Sequence, residues 1–168
     1  MSQNGTSEIM ITTDRSRLDL DVIHGFLTTS YWAKGVPRAT VARSIEHSLC
    51  FGAFEGGRQV GFARVISDHA TFAYICDVFA LESARGHGVG KSLMAAIMSH
   101  PELQGLRRWT LFTRDAQGLY RQFGFGAPAN PERLMEVVNR DPYHAGARVR
   151  LHEPHGHHRA AGDRLRQG

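Results

Sequence analysis

Residues 72–98 read FAYICDVFALESARGHGVGKSLMAAIM, and the change of pattern inside this stretch decides the fold. Residues 72–81 are almost all apolar or aromatic. That run is too short for a core helix and rich enough in Tyr, Ile, Val and Phe to predict a strand buried on both faces. Past Arg85-Gly86-His87-Gly88-Val89-Gly90 the period changes. Val89, Leu93, Ala96 and Ile97 fall three to four apart, one face of a helix. A strand, a glycine-rich turn and a helix start therefore follow one another. The first turn of a helix carries unpaired amides and partial positive charge, so this junction suits a phosphate or pyrophosphate. Glycines let a ligand's oxygens come close to those amides.

Two phosphate-binding patterns compete for the turn. Gly88-Val89-Gly90-Lys91-Ser92 imitates the end of GxxxxGK[ST], but that template needs glycine at position 85, where this chain has Arg85. Arg85-Gly86-His87-Gly88-Val89-Gly90 instead fits [QR]-x-x-G-x-[GA]. Further on, Ala116-Gln117-Gly118-Leu119-Tyr120-Arg121-Gln122-Phe123-Gly124-Phe125 fits A-x-x-x-Y-x-x-x-G-F. With both motifs in this order, the chain resembles the GNAT superfamily of acetyl-coenzyme A-dependent N-acetyltransferases, over roughly residues 8–138.

The rest of the chain follows the same organisation. Residues 8–13 (EIMITT) predict a first strand, and Asp19 and Asp21 are candidate caps of a helix whose face is Val22, Ile23, Phe26 and Leu27. Pro37 opens a second helix carrying Val41, Ile45 and Leu49. Residues 50–55 and 59–67 around Gly56-Gly57 read as a hairpin, and Asp68-His69 turn into the central strand. Residues 109–113 (WTLFT) predict a fifth strand, residues 116–123 a short helix and residues 134–138 a last strand. The expected fold is α/β (α+β): a mixed, mostly antiparallel central sheet with helices on both faces.

Composition narrows the class. The 168 residues are expected to form one domain over 1–150, with a polar, disordered tail over 151–168. No apolar run approaches a membrane span, no secretory signal is visible, and Cys50 and Cys76 form neither a disulfide framework nor a zinc pattern. The expectation is a cytoplasmic monomer or homodimer that engages neither membrane nor nucleic acid. A net charge of +4, with no basic helix interleaved with aromatics, gives nucleic acid little to bind. Of ten histidines, His144, His152, His155, His157 and His158 fall in or near the tail, and the others lack ligand spacing, so no metal is expected.

The resemblance implies a donor, acetyl-coenzyme A, and an acceptor, a primary amine on a small molecule in preference to a protein. It implies that turn amides over Arg85, Gly86, His87, Gly88, Val89, Gly90, Lys91 and Ser92 hold the pyrophosphate. In the turn, the backbone amide of His87 is expected to matter more than its ring. Splayed backbone at Phe79, Ala80 and Leu81 would hold the pantetheine arm and polarise the thioester. Tyr120 falls at the family's general-acid position; its alternative is a tyrosine packing a short helix. Asp77 interrupts the apolar strand, sharing by alternation a face with Ile75 and Phe79. It falls where relatives carry a general base; its alternative is a structural carboxylate bonded to backbone or to Arg64, with water taking the amine proton. Asp115 stands where relatives often have a cofactor-contacting asparagine, and its alternative is a helix cap. Tyr31 and Trp32 fall in the acceptor-pocket connection, where exposed aromatics suit an apolar or aromatic amine. No cysteine or serine is set up as a nucleophile, so attack in a ternary complex is expected. The reading from another class is a non-catalytic acyl-coenzyme A-binding sensor of the same fold.

Overall fold

The apolar run forms β4 (Phe72–Ala80), an interior strand of a five-stranded sheet in the computed structural model, which describes residues 8–143. The sheet order follows the chain, β1 (Met10–Thr12), β2 (Leu49–Glu55), β3 (Arg58–Ser67), β4 and β5 (Arg108–Leu111). The first four strands are antiparallel and β5 joins β4 in parallel, so the sheet is mixed and mostly antiparallel.

The helices cover both faces. α3 (Val89–Ser99) buries Val89, Leu93, Met94 and Ile97 against Phe51, Ala63, Val65, Ala73 and Ile75. On the opposite face α1 (Leu20–Leu27) and α2 (Arg38–Glu46) bring Ile23, Leu27, Val41 and Ile45 onto Phe62 and Phe79. Asp19 caps α1, accepting from the Asp21 and Val22 amides. Asp21 is not a cap: it pairs with Arg38 at 2.9 Å, joining the two helices. Pro37 stands at the N-cap of α2. Between β3 and β4 the Asp68 carboxylate accepts the Thr71 amide and hydroxyl and the Ala70 and Phe72 amides, holding it far below the ordinary aspartate range.

Two departures in β4 shape everything near it. The β3–β4 register runs from Phe62↔Phe79 to Arg64↔Cys76, which gives β4 one extra residue, a bulge. Asp77 sits in it with φ 53°, a backbone region that non-glycine residues rarely adopt. The second departure is a fork. β4 and β5 pair only from Phe72↔Arg108 to Ile75↔Leu111, and beyond Ile75 β4 continues to Ala80 with no strand beside it on that edge.

The described residues divide into two compact units at the Ala129–Asn130 boundary, 8–129 and 130–143. The first holds the sheet and its helices. In the second, a 3-10 turn over Pro131–Arg133 leads into residues 134–138, where the sequence predicts a strand; no ladder forms there among the described residues. Leu134, Met135, Val137 and Val138 are exposed. Their apolar, β-branched character suits a strand, but a strand exists only through pairing with another segment. The tail histidines and the expected tail, residues 144–168, lie outside the described residues.

Candidate active site

The glycine-rich turn enters α3 through two glycines in the left-handed region. Gly86 and Gly88 have φ 79° and 78°, and nothing lies within 4 Å of where a Cβ would stand at either. Both conformations are open to glycine at no steric cost, and successive amides in such a turn form a concave nest. α3 then starts without a side-chain cap and without an acid in its first turn, so its positive end is left unneutralised. Not every amide of the turn is available. Those of Arg85 and His87 donate inward, to Glu82 O (3.2 Å) and Ala84 O (3.2 Å). The His87 amide is thus used inside the turn, while its ring places Nδ1 3.0 Å from Glu55 Oε1 on the β2–β3 hairpin. Arg85 pairs with Glu82 at 3.0 Å, an exposed contact of little energetic weight. Lys91 and Ser92 belong to the first turn of α3, where the Ser92 amide donates to Gly88 O.

Two close approaches hold the turn against the sheet. A Cβ on Gly61 of β3 would come within 2.5 Å of Val89 Cγ1 and 2.9 Å of Phe79 O. A Cβ on Gly90 would stand 3.2 Å from Leu119 of the short helix α4 (Gln117–Arg121). Small residues at 61 and 90 let β3, α3 and α4 converge next to the fork.

Tyr120 arrives through α4. It is 8% exposed and its ring meets Phe125 edge-on at 6.2 Å. No hydrogen bond engages its hydroxyl among the described residues, and burial, reinforced by the nearby Tyr31, pushes the phenol up to about 12. It is therefore a proton donor at any ordinary pH. Asp115 does not cap α4: the N-cap is Ala116, whose amide donates to Thr113 Oγ1, and the Asp115 carboxylate lies 3.5 Å from Arg114.

The bulge changes the face on which β4 presents its side chains. Ile75 packs on the α3 side and Phe79 on the α1–α2 side, so Asp77 does not share one face with both. Its carboxylate meets Arg64 Nε at 2.8 Å and Trp32 Nε1 at 3.0 Å, one donor to each oxygen. Phe79 stacks on Phe26 at 3.9 Å, and the Leu81 amide donates to Val60 O at 2.7 Å, which commits it to β3. Tyr31 and Trp32 are half-exposed and meet edge-on at 4.9 Å. Arg114, just beyond β5, lays its guanidinium 3.9 Å from the Tyr31 ring and donates its amide to Tyr31 Oη. Sequence reasoning missed Arg114 and Glu55, and placed Phe26 on a helix face without its stack on Phe79. Each meets a partner more than 30 positions away or on another element, and no local spacing signals that.

Burial pushes the Cys50 thiol up to about 11 and the Cys76 thiol up to about 12, so neither is an activated nucleophile. Among the described residues no group of three or more His, Cys, Asp or Glu is placed to hold a metal ion, and no helix is long and apolar enough to cross a membrane.

Comparison with known proteins identifies the family to which this fold belongs. Residues 20–125 match the Acetyltransferase (GNAT) family. A Gibberella zeae protein named as an acetyltransferase is 30% identical over 142 residues, covering 70% of this chain and 79% of that one. A serotonin N-acetyltransferase from Oryza sativa subsp. japonica is 30% identical over 130 residues, covering 72% of this chain and 64% of that protein. The crystal structure of a GNAT-family protein from Xanthomonas campestris pv. campestris superposes with a TM-score of 0.78 at 54% identity, covering 80% of this chain and 96% of that one.

Proposed function

The chain belongs to the GNAT family of acetyltransferases, and from that premise we propose that it moves acetyl from acetyl-coenzyme A to a primary amine by direct attack in a ternary complex. The observation that carries the reading is the pairing of an uncapped, glycine-lined helix start with the unengaged hydroxyl of a largely buried tyrosine on the helix packed against it. Free amides of the turn bind the pyrophosphate, and the strandless edge of β4 along Phe79 and Ala80 takes the pantetheine arm. The Leu81 amide, bonded to Val60, contributes no donor there.

Tyr120 donates its proton toward the sulfur as the carbon–sulfur bond breaks, so that the leaving group departs as a thiol. A positioned acid of this kind contributes about 10²–10⁴-fold. Of the two roles open to Asp77, base or structural carboxylate, its bonds to Arg64 and Trp32 support the structural one, and the amine proton then leaves to water. Asp115, exposed and beside Arg114, is kept as a contact at the rim of the cofactor arm.

The acceptor enters on the side of Tyr31 and Trp32. Their exposed faces suit an amine on an aromatic or apolar body, and Arg114 above Tyr31 disfavours a second positive charge. The serotonin N-acetyltransferase relative is named for an aromatic amine, which supports the same class.

Thiol release from acetyl-coenzyme A across a panel of aromatic, aliphatic and polycationic amines tests the proposal. Release with aromatic monoamines is expected. Tight cofactor binding with no release from any amine would favour the sensor instead.

A further inference from the structure

Asp77 is held in place by two elements other than its own. Arg64 on β3 and Trp32 in the α1–α2 connection each donate to one of its oxygens, and the aspartate side chain is only 11% exposed. Arg64 is 16% exposed and also donates to Ser48 Oγ at 3.1 Å. A left-handed backbone at a non-glycine residue costs about 1–3 kcal/mol and persists only where surrounding contacts over-determine it. Here the two donors supply that determination.

The connection continues beyond Trp32. Trp32 meets Tyr31 edge-on, and Tyr31 Oη accepts the amide of Arg114 from the loop beyond β5. Arg64, Asp77, Trp32, Tyr31 and Arg114 thus form a continuous chain of contacts from β3 to the far side of the fork. Residues 28–37, which hold the two aromatics, are tied at both of its banks.

We propose that Asp77 is a positioning residue whose carboxylate fastens Trp32, and through it Tyr31, to the bulge of β4, so that the α1–α2 connection stands as a fixed aromatic wall for the acceptor amine. The inference rests on the transferase reading above. It also explains why a charged residue interrupts an apolar strand. As a base, Asp77 would take up a proton at each turnover and leave a largely buried guanidinium without its partner charge, a costly state in a protein interior.

Asp77→Asn and Trp32→Phe test this together, since the second keeps a ring and deletes only the indole N–H. Losing one hydrogen bond to a charged group should raise the amine KM about tenfold in each variant. A kcat within about threefold of wild type, an unchanged KM for acetyl-coenzyme A and an unmoved acid limb of the pH–rate profile complete the expected pattern. The double variant should be no worse than the poorer single one. A kcat fall of about a hundredfold or more in Asp77→Asn, with the acid limb altered and Trp32→Phe silent, overturns the proposal in favour of a base.

If Asp77→Asn does not fold, Trp32→Phe alone decides, and an unchanged amine KM there overturns it. If the wild type acetylates no amine, the transferase reading falls but the latch is still read on the free protein. With two tryptophans in the chain, Trp32 and Trp109, the indole N–H that Trp32→Phe removes from the ¹H–¹⁵N spectrum is assigned at once. Asp77→Asn, or Arg64→Lys where that variant is the one that folds, must shift this resonance; an unshifted one refutes the latch.

Discussion

Gly61→Ala should loosen the glycine-rich turn from the sheet it packs on. The added Cβ would meet Val89 Cγ1 at 2.5 Å, Phe79 O at 2.9 Å and Ala53 Cβ at 3.2 Å, where ordinary contacts need about 3.5–4.0 Å. None of the three can give way easily. Phe79 O is backbone in a ladder, Val89 is a β-branched residue 2% exposed at the start of α3, and Ala53 is fully buried. Overpacking of this kind costs about 1–3 kcal/mol, and with two contacts below 3.0 Å the upper half of that range, about 2–3 kcal/mol, is expected. For a chain of this size that lowers Tm by roughly 4–12 °C. The strain is relieved by pushing Val89 outward, which moves the turn, so the affinity for coenzyme A should fall as well. Urea denaturation followed by tryptophan fluorescence, with calorimetric titration of coenzyme A, measures both effects. Gly61→Ala/Val89→Ala should lose less than the sum of its single variants, because the shortest contact is gone. A Gly61→Ala protein within about 0.5 kcal/mol of wild type, or a strictly additive double variant, would refute the reasoning.

Other outcomes follow from the same geometry. Tyr120→Phe should keep its packing and cofactor affinity while turnover falls about ten- to a thousandfold, and wild-type turnover with chemistry rate-limiting would exclude the tyrosine as the acid. Because the folded-state phenol is held up near 12, the unfolded chain loses this proton first. The stability that Tyr120 confers is therefore complete below pH 10 and declines as pH rises from 10 towards 12; Tyr120→Phe should lessen the alkaline fall in melting temperature, the remainder coming from the raised Cys50 and Cys76 thiols. Gly88→Val places a side chain where the Cβ space is open but φ is 78°, so it should destabilise by about 1–2 kcal/mol and severely weaken coenzyme A binding. Gly105→Ala, at φ 74° in a turn away from the site, should carry a comparable backbone cost with unchanged affinity. Gly25→Ala, inside α1 with nothing within 4 Å of its Cβ, should stabilise by about 0.5–1 kcal/mol, and a loss in melting temperature would contradict that.

Much of this architecture is legible without coordinates because it is written in local patterns. The run over Phe72–Ala80 reads as a strand through its composition, and the turn after it through its glycines, whose positive φ values meet a need no other residue fills as cheaply. Where pattern reading fails, a partner distant in sequence decides. Alternation assigns Asp77, Ile75 and Phe79 to one face, but the bulge, visible only against β3, separates Ile75 from Phe79. The fifth strand ends at Leu111 instead of residue 113, since β4 has already diverged and left nothing to pair with. Asp115 looks like the cap of α4 by position, yet Thr113, three residues before Ala116, takes the amide. Glu55 and His87 are 32 residues apart and meet only because the β2–β3 hairpin projects beside the turn.

The sheet has one parallel joint, and it is also its shortest seam apart from that of β1: four residue pairs between β4 and β5. β2, β3 and β4 are neighbours in sequence and close through tight turns, whereas β5 reaches β4 only after α3 has been laid down. Closing long loops slows assembly, so the antiparallel meander should form early and the parallel seam late. The same order predicts unequal persistence in the folded protein. Amides of Trp109 and Leu111 should exchange with solvent ahead of those of Phe51 and Ala63, through sub-global opening that leaves the meander intact. The seam borders the fork, so a ligand seated there would slow this exchange, and deuterium uptake at β5 becomes a direct gauge of occupancy.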